Sequence, residues 1–119
     1  MSGPLEGIRV VDLTQVVSGP LATMLLADQG AEVVKVEPSG IGGDVTRLPS
    51  FAKGGISALF VNNNRGKRSL AVDLTNDEGR QIIIDLVAKA DVFIQNFRPG
   101  AIERLGLGYE ELKAVNPEL

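Results

Sequence analysis

The chain carries no histidine and no cysteine, so any chemistry of its own must come from carboxylates, lysines, hydroxyls or the single Tyr109. That absence excludes disulfides, thiolate nucleophiles and the usual zinc sites. It also excludes a Ser-His-Asp triad or a histidine general base built within these residues. What remains is a pattern of charge. From Val45 to Val72 there are five basic residues (Arg47, Lys53, Arg65, Lys67 and Arg68) and no acid, inside a chain of net charge −3. A basic stretch in an acidic protein fits a local anionic ligand, although a solvated loop would give the same pattern. Nucleic acid fits poorly, because the overall balance is acidic and only 4% of residues are aromatic.

Such residues need a scaffold, and the apolar runs describe one. Ile8–Leu13, Glu32–Val36, Ser69–Asp73 and Asp91–Gln95 are short, mostly rich in β-branched residues and bounded by turn signals, as strands are. A helix is expected from Ser18 to Gln29, capped by Ser18, with Pro20 in its first turn and Gly30 as its stop. A second is expected from Thr75 to Ala90, opened by the capping box Thr75-Asn76-Asp77-Glu78. Its residues Ile82, Ile83, Leu86, Val87 and Ala90 fall at helical spacing on one face. Strands alternating with helices imply βαβ units and a mostly parallel sheet, an α/β fold with flanking helices.

Between Glu37 and Leu59 the spacing predicts a long glycine-rich loop, a length that is usually functional or flexible. Two short helical pieces follow, Ala101–Leu105 and Tyr109–Val115. Pro117-Glu118-Leu119 reads as the entry to a fifth strand, so the expectation is a chain cut before its sheet is complete. The 119 residues suit one domain with a single modest core. No apolar run approaches the roughly 20 residues of a membrane span, and no secretory signal is evident. The default expectation is a cytoplasmic protein.

The first strand-to-helix turn, Asp12-Leu13-Thr14-Gln15-Val16-Val17-Ser18-Gly19-Pro20, lies where α/β folds bind phosphates. It is not G-x-G-x-x-G, and Gly40-Ile41-Gly42-Gly43 opens no obvious helix, so NAD binding is poorly supported. Several stretches in register nevertheless resemble one family. They are Pro4–Asp12, Gly19-Pro20, Leu26–Glu37, Gly43–Arg47, Asn64–Ser69, Ala90–Gly100, Arg104–Leu107 and Asn116-Pro117. Together they span nearly the whole chain and resemble the family III CoA-transferases, the group of formyl-CoA transferase, carnitine CoA-transferase and α-methylacyl-CoA racemase.

The resemblance implies that residues 1–119 are the N-terminal part of a CoA-binding large domain with a Rossmann-like sheet, with no second domain in this chain. It implies coenzyme A or an acyl-CoA as substrate, a carboxylic acid as second substrate, no metal, and an interlocked homodimer. It also implies CoA transfer through an aspartyl anhydride and thioester on a residue beyond Leu119, so no acid here is the nucleophile. The isolated chain is expected to be inactive. Asp12, Asp73 and Asp91 fit structural roles at strand ends.

Residues matching the family's CoA contacts are Val17 and Ser18 in the first turn, then Val72, Leu74 and Thr75 after the third strand. Asn96, Phe97 and Arg98 follow the fourth strand, and Arg104 lies on the next helix. Arginine suits the 3′-phosphate and pyrophosphate of CoA because its planar fork binds phosphate bidentately. Phe97 could equally be a core aromatic, and Arg104 a surface partner of Glu103 or Glu110. Some transferases carry arginine where this chain has Pro38, a contact that is lost or supplied by Arg65, Lys67 or Arg68. The Asn64–Ser69 segment could be a turn held by its own side chains, but because it lies in the acid-free stretch it is expected to serve the ligand or the dimer. Two other functions stay open, a racemase-type isomerase and a non-catalytic CoA-binding fragment. The long Gly43–Phe60 stretch resembles the transferases more than the racemases.

Overall fold

A computed structural model describes residues 2–119. Four strands, β1 (Arg9–Asp12), β2 (Glu32–Pro38), β3 (Arg68–Val72) and β4 (Val92–Ile94), form one sheet in the order β3-β2-β1-β4. All three pairings are parallel, with Asp12 opposite Lys35 and Ile94, and Pro38 opposite Val72. The expected α/β architecture is therefore present, with every pair parallel.

Period two sends alternate residues to opposite faces of the sheet. Val11, Leu13, Val36 and Val72 meet Ile83 and Val87 of helix α3 (Asp77–Val87). Ile102 of α4 (Ala101–Arg104) and Leu112 of α5 (Tyr109–Val115) complete that core. On the other face Val10 and Val33 pack against Ala27 of α1 (Ser18–Asp28) and Ala31. A further helix, α2 (Ala58–Asn64), lies beside α1.

The differences from the sequence expectation have local causes. Ser18 does not cap α1. Val17 holds the cap position without a side-chain bond, and Ser18 is the first helical residue. The cap of α3 is Asn76, whose Oδ1 accepts from the Gly79 N–H at 2.7 Å. Thr75 instead turns back, its N–H and hydroxyl both donating to Asp73 Oδ1 at 2.9 and 2.6 Å. Asparagine and threonine compete for this cap, and the aspartate upstream claims the threonine.

The Glu37–Leu59 stretch is more ordered than expected. It holds two 3₁₀ turns, Val45–Arg47 and Pro49–Phe51, a Lys53–Ile56 bridge closed over Gly54-Gly55, and the start of α2 with Ser57 as cap. Residues 117–118 form a turn rather than a strand entry, and the Leu119 N–H donates to the Asn116 carbonyl.

Candidate functional site

In the order β3-β2-β1-β4, the chain leaves β1 toward α1 on one face and leaves β4 toward α4 and α5 on the other. The strand ends between β1 and β4 are the topological switch point, where open α/β sheets form their binding crevice. Two loops meet there and are clasped reciprocally. The Gln15 N–H donates to Asn96 Oδ1 at 3.0 Å, and Asn96 Nδ2 donates to the Gln15 carbonyl at 2.8 Å. Asn96 is thus a structural bridge as well as a candidate contact.

This clasp brings together two of the expected groups. Val17 and Ser18 are exposed at the start of α1. Phe97 is half-buried against the core, while Arg98 is exposed. Arg104 follows on α4, exposed, with its guanidinium against Gly100, whose φ of 84° lets the turn enter the helix. Among the described residues neither Arg98 nor Arg104 makes an ion pair, and the alternative partners Glu103 and Glu110 are not engaged.

Val72, Leu74 and Thr75 stand apart, at the far edge after β3. Val72 is buried in the core and Leu74 packs against it, which leaves chiefly backbone to offer a ligand. Thr75 is exposed.

Beneath the first turn lies a polar cluster that sequence patterning did not single out. Asp12 is fully buried; its Oδ1 accepts from the Thr14 N–H and hydroxyl, and its Oδ2 accepts from the Thr23 hydroxyl and Lys67 Nζ. Lys67 Nζ also donates to the Pro20 carbonyl and Asn64 Oδ1, so its three protons are all used. Burial pushes the Lys67 ammonium below its ordinary pKa despite the neighbouring Asp12.

Lys35, also buried, donates to the Thr14 carbonyl and to Asp44 Oδ2, both at 2.9 Å. Glu37 accepts from Arg47 Nε and Nη2 at 2.7 and 2.8 Å and from the Asp44 N–H at 2.8 Å. The Arg47 guanidinium stacks 3.6 Å from the Phe60 ring centroid. Burial alone would raise the pKa of Asp44 and Glu37. Hydrogen bonds to Asp44 from Thr46 and Lys35, and to Glu37 from Arg47 and the Asp44 N–H, outweigh it and hold both below their ordinary values.

The signal for this cluster was available. Lys35 and Glu37 alternate with apolar residues on a central strand covered by helices on both faces, where a charge must be paired. In the Asn64–Ser69 segment, the Lys67 side chain is buried with its donors all used within the protein, while Arg65 and Arg68 are exposed and form surface pairs with Asp28 and Glu32.

Fold and crevice together define a Rossmann-like α/β protein with its cleft at the switch point between β1 and β4. Comparison with known proteins narrows this. Residues 5–119 match the family described as CoA-transferase family III, and the chain belongs to that family.

Succinyl-CoA:mesaconate CoA-transferase of Haloarcula hispanica is 49% identical over 122 residues, covering 98% of this chain and 30% of that protein. Acetyl-CoA:oxalate CoA-transferase of Acetobacter aceti is 46% identical over 117 residues, with the same coverage of both chains. The orthorhombic crystal structure of Rv3272 from Mycobacterium tuberculosis superposes with a TM-score of 0.90 at 46% identity, over 99% of this chain and 32% of that one. The chain thus spans about a third or less of the length of the relatives it matches.

Proposed function

We propose that residues 1–119 form the N-terminal part of the CoA-binding large domain of an acyl-CoA:carboxylate CoA-transferase. In this reading the nucleophilic aspartate lies in sequence outside this chain. It attacks the acyl-CoA thioester to give a mixed anhydride and free CoA thiolate. The thiolate then attacks the aspartyl carbonyl, releases the first carboxylate and leaves an aspartyl-CoA thioester for the acceptor acid. This chain's part is to hold the nucleotide end of CoA while the thiol end is exchanged.

The observation that carries the reading is the clasped crevice between the β1 and β4 loops, with Arg98 and Arg104 following the β4 loop and, among the described residues, without ion pairs. Val17 and Ser18 would present the start of α1 to the ligand, Asn96 and Phe97 the turn, and the two arginines the charge for phosphate. Val72, Leu74 and Thr75 would border the adenine side. The reading needs no metal and takes the working protein to be an interlocked homodimer in the cytoplasm. Among the described residues no helix is long and apolar enough to cross a membrane.

Relatives named for CoA transfer, from succinyl-CoA to mesaconate and from acetyl-CoA to oxalate, support transfer over racemisation. The test is an assay of the protein carrying this chain with succinyl-CoA and a panel of labelled dicarboxylic acids. Formation of the acceptor's CoA thioester is expected. Epimerisation of a 2-methylacyl-CoA without transfer would establish the racemase alternative instead.

A further inference from the structure

Among the described residues Val16 is the one non-glycine residue with positive φ, at 76°. A β-branched side chain in that region is strained, and such strain persists only where the surroundings over-determine it. The surroundings here are the buried Lys35–Asp44 pair. Lys35 Nζ grips the carbonyl of Thr14, two residues before Val16, at 2.9 Å. Asp44 Oδ2 holds Lys35 at the same distance. Asp44 Oδ1 faces the Val16 N–H at a longer 3.4 Å.

Asp44 is itself fixed, by Thr46 through N–H and hydroxyl, and by its own N–H on Glu37. Asp12 holds the other side of Thr14. The pair therefore ties the glycine-rich loop after β2 to the turn after β1, immediately before Val17 and Ser18.

We propose that Lys35 and Asp44 are positioning residues that hold Val16 in its left-handed conformation and so aim Val17, Ser18 and the start of α1 at the nucleotide end of CoA. The proposal rests on the CoA-binding reading for the identity of the ligand. It does not rest on it for the geometry of the turn.

The test removes both members together, so that no unpaired charge is left buried. Lys35→Met/Asp44→Ala is compared with the same chain carrying Val16→Gly, since glycine takes positive φ without the Cβ penalty. Affinity for CoA is measured by calorimetry, and hydrogen exchange of the Gln15–Ser18 amides without ligand.

In the wild type the Val16 amide should be protected. Removing the pair should speed its exchange and weaken CoA binding by about tenfold, the scale of one net hydrogen bond. Adding Val16→Gly should bring affinity back to within about threefold while the loss of thermal stability persists, because the buried contacts stay lost. Unchanged affinity on removing the pair, or a loss that Val16→Gly does not recover, would overturn the positioning role.

If the wild type shows no CoA binding, the functional reading fails and the ligand part of the proposal with it. The exchange measurement still judges the turn. A Val16 amide exchanging at unstructured-chain rates in the wild type would overturn the holding role, including where the double variant does not fold.

Discussion

Glu37 shows how a residue that reads as one more surface acid becomes part of the frame. Arg47 grips both its carboxylate oxygens, the Asp44 N–H joins one of them, and the Ser69 hydroxyl lies 3.5 Å from the other. Its folded pKa is held below the ordinary 4.5, and that of Asp44 below the ordinary 3.8. A depressed carboxylate contributes stability that is present above its unfolded pKa and lost as pH falls through its folded value. Urea unfolding at a series of pH values should therefore show stability flat from about pH 5 to neutral and declining below the ordinary carboxylate range. Glu37→Gln should be less stable at pH 7 and should show a shallower acid decline. A variant that declines as steeply as wild type would mean that other carboxylates carry the effect.

At the scale of the element, the caps separate what sequence alone shows from what tertiary context decides. Asn76→Ala should destabilise the protein by about 1 kcal/mol and speed exchange of the Gly79 amide. Thr75→Ala should leave that amide alone, because Thr75 bonds Asp73. Equal effects on Gly79 would restore the capping-box assignment. The turn into α1 makes a second case. A Cβ on Gly19 would collide with the Thr14 side chain, which Asp12 fixes in place. Gly19→Ala should cost about 1–3 kcal/mol in urea unfolding, as overpacking does, and a neutral result would show that the turn can shift.

The central strands β1 and β2 were legible as buried β-branched runs, and the more exposed edge strands β3 and β4 as short runs between turn signals. Helix α2 was not, since Asn62-Asn63-Asn64 has weak helix propensity. Ser57 starts that helix as its cap, and packing against α1 holds it. Of the candidate site, the positions around the crevice were visible as motifs. Lys35 and Asp44 were not singled out, and Lys67 was read toward a ligand rather than toward Asp12, because their partners come from different elements.

Across the whole molecule, one arrangement joins these scales. The sheet order puts the loops after β1 and β4 side by side, Gln15 and Asn96 clasp them, and the buried ion pairs fix one loop from below. Arg98 and Arg104 follow the β4 loop and, among the described residues, have no ionic partners. The most direct test of the proposed CoA site is calorimetric titration of the protein carrying this chain, as wild type and as Arg104→Ala, with CoA and with dephospho-CoA. Wild type should bind CoA, and Arg104→Ala should bind it weaker by about 1.5–3 kcal/mol, the scale of a lost charge-assisted hydrogen bond. The two proteins should bind dephospho-CoA alike if the contact is to the 3′-phosphate. Absence of CoA binding by the wild type, or one affinity for CoA shared by both proteins, would contradict the placement of the nucleotide in this crevice.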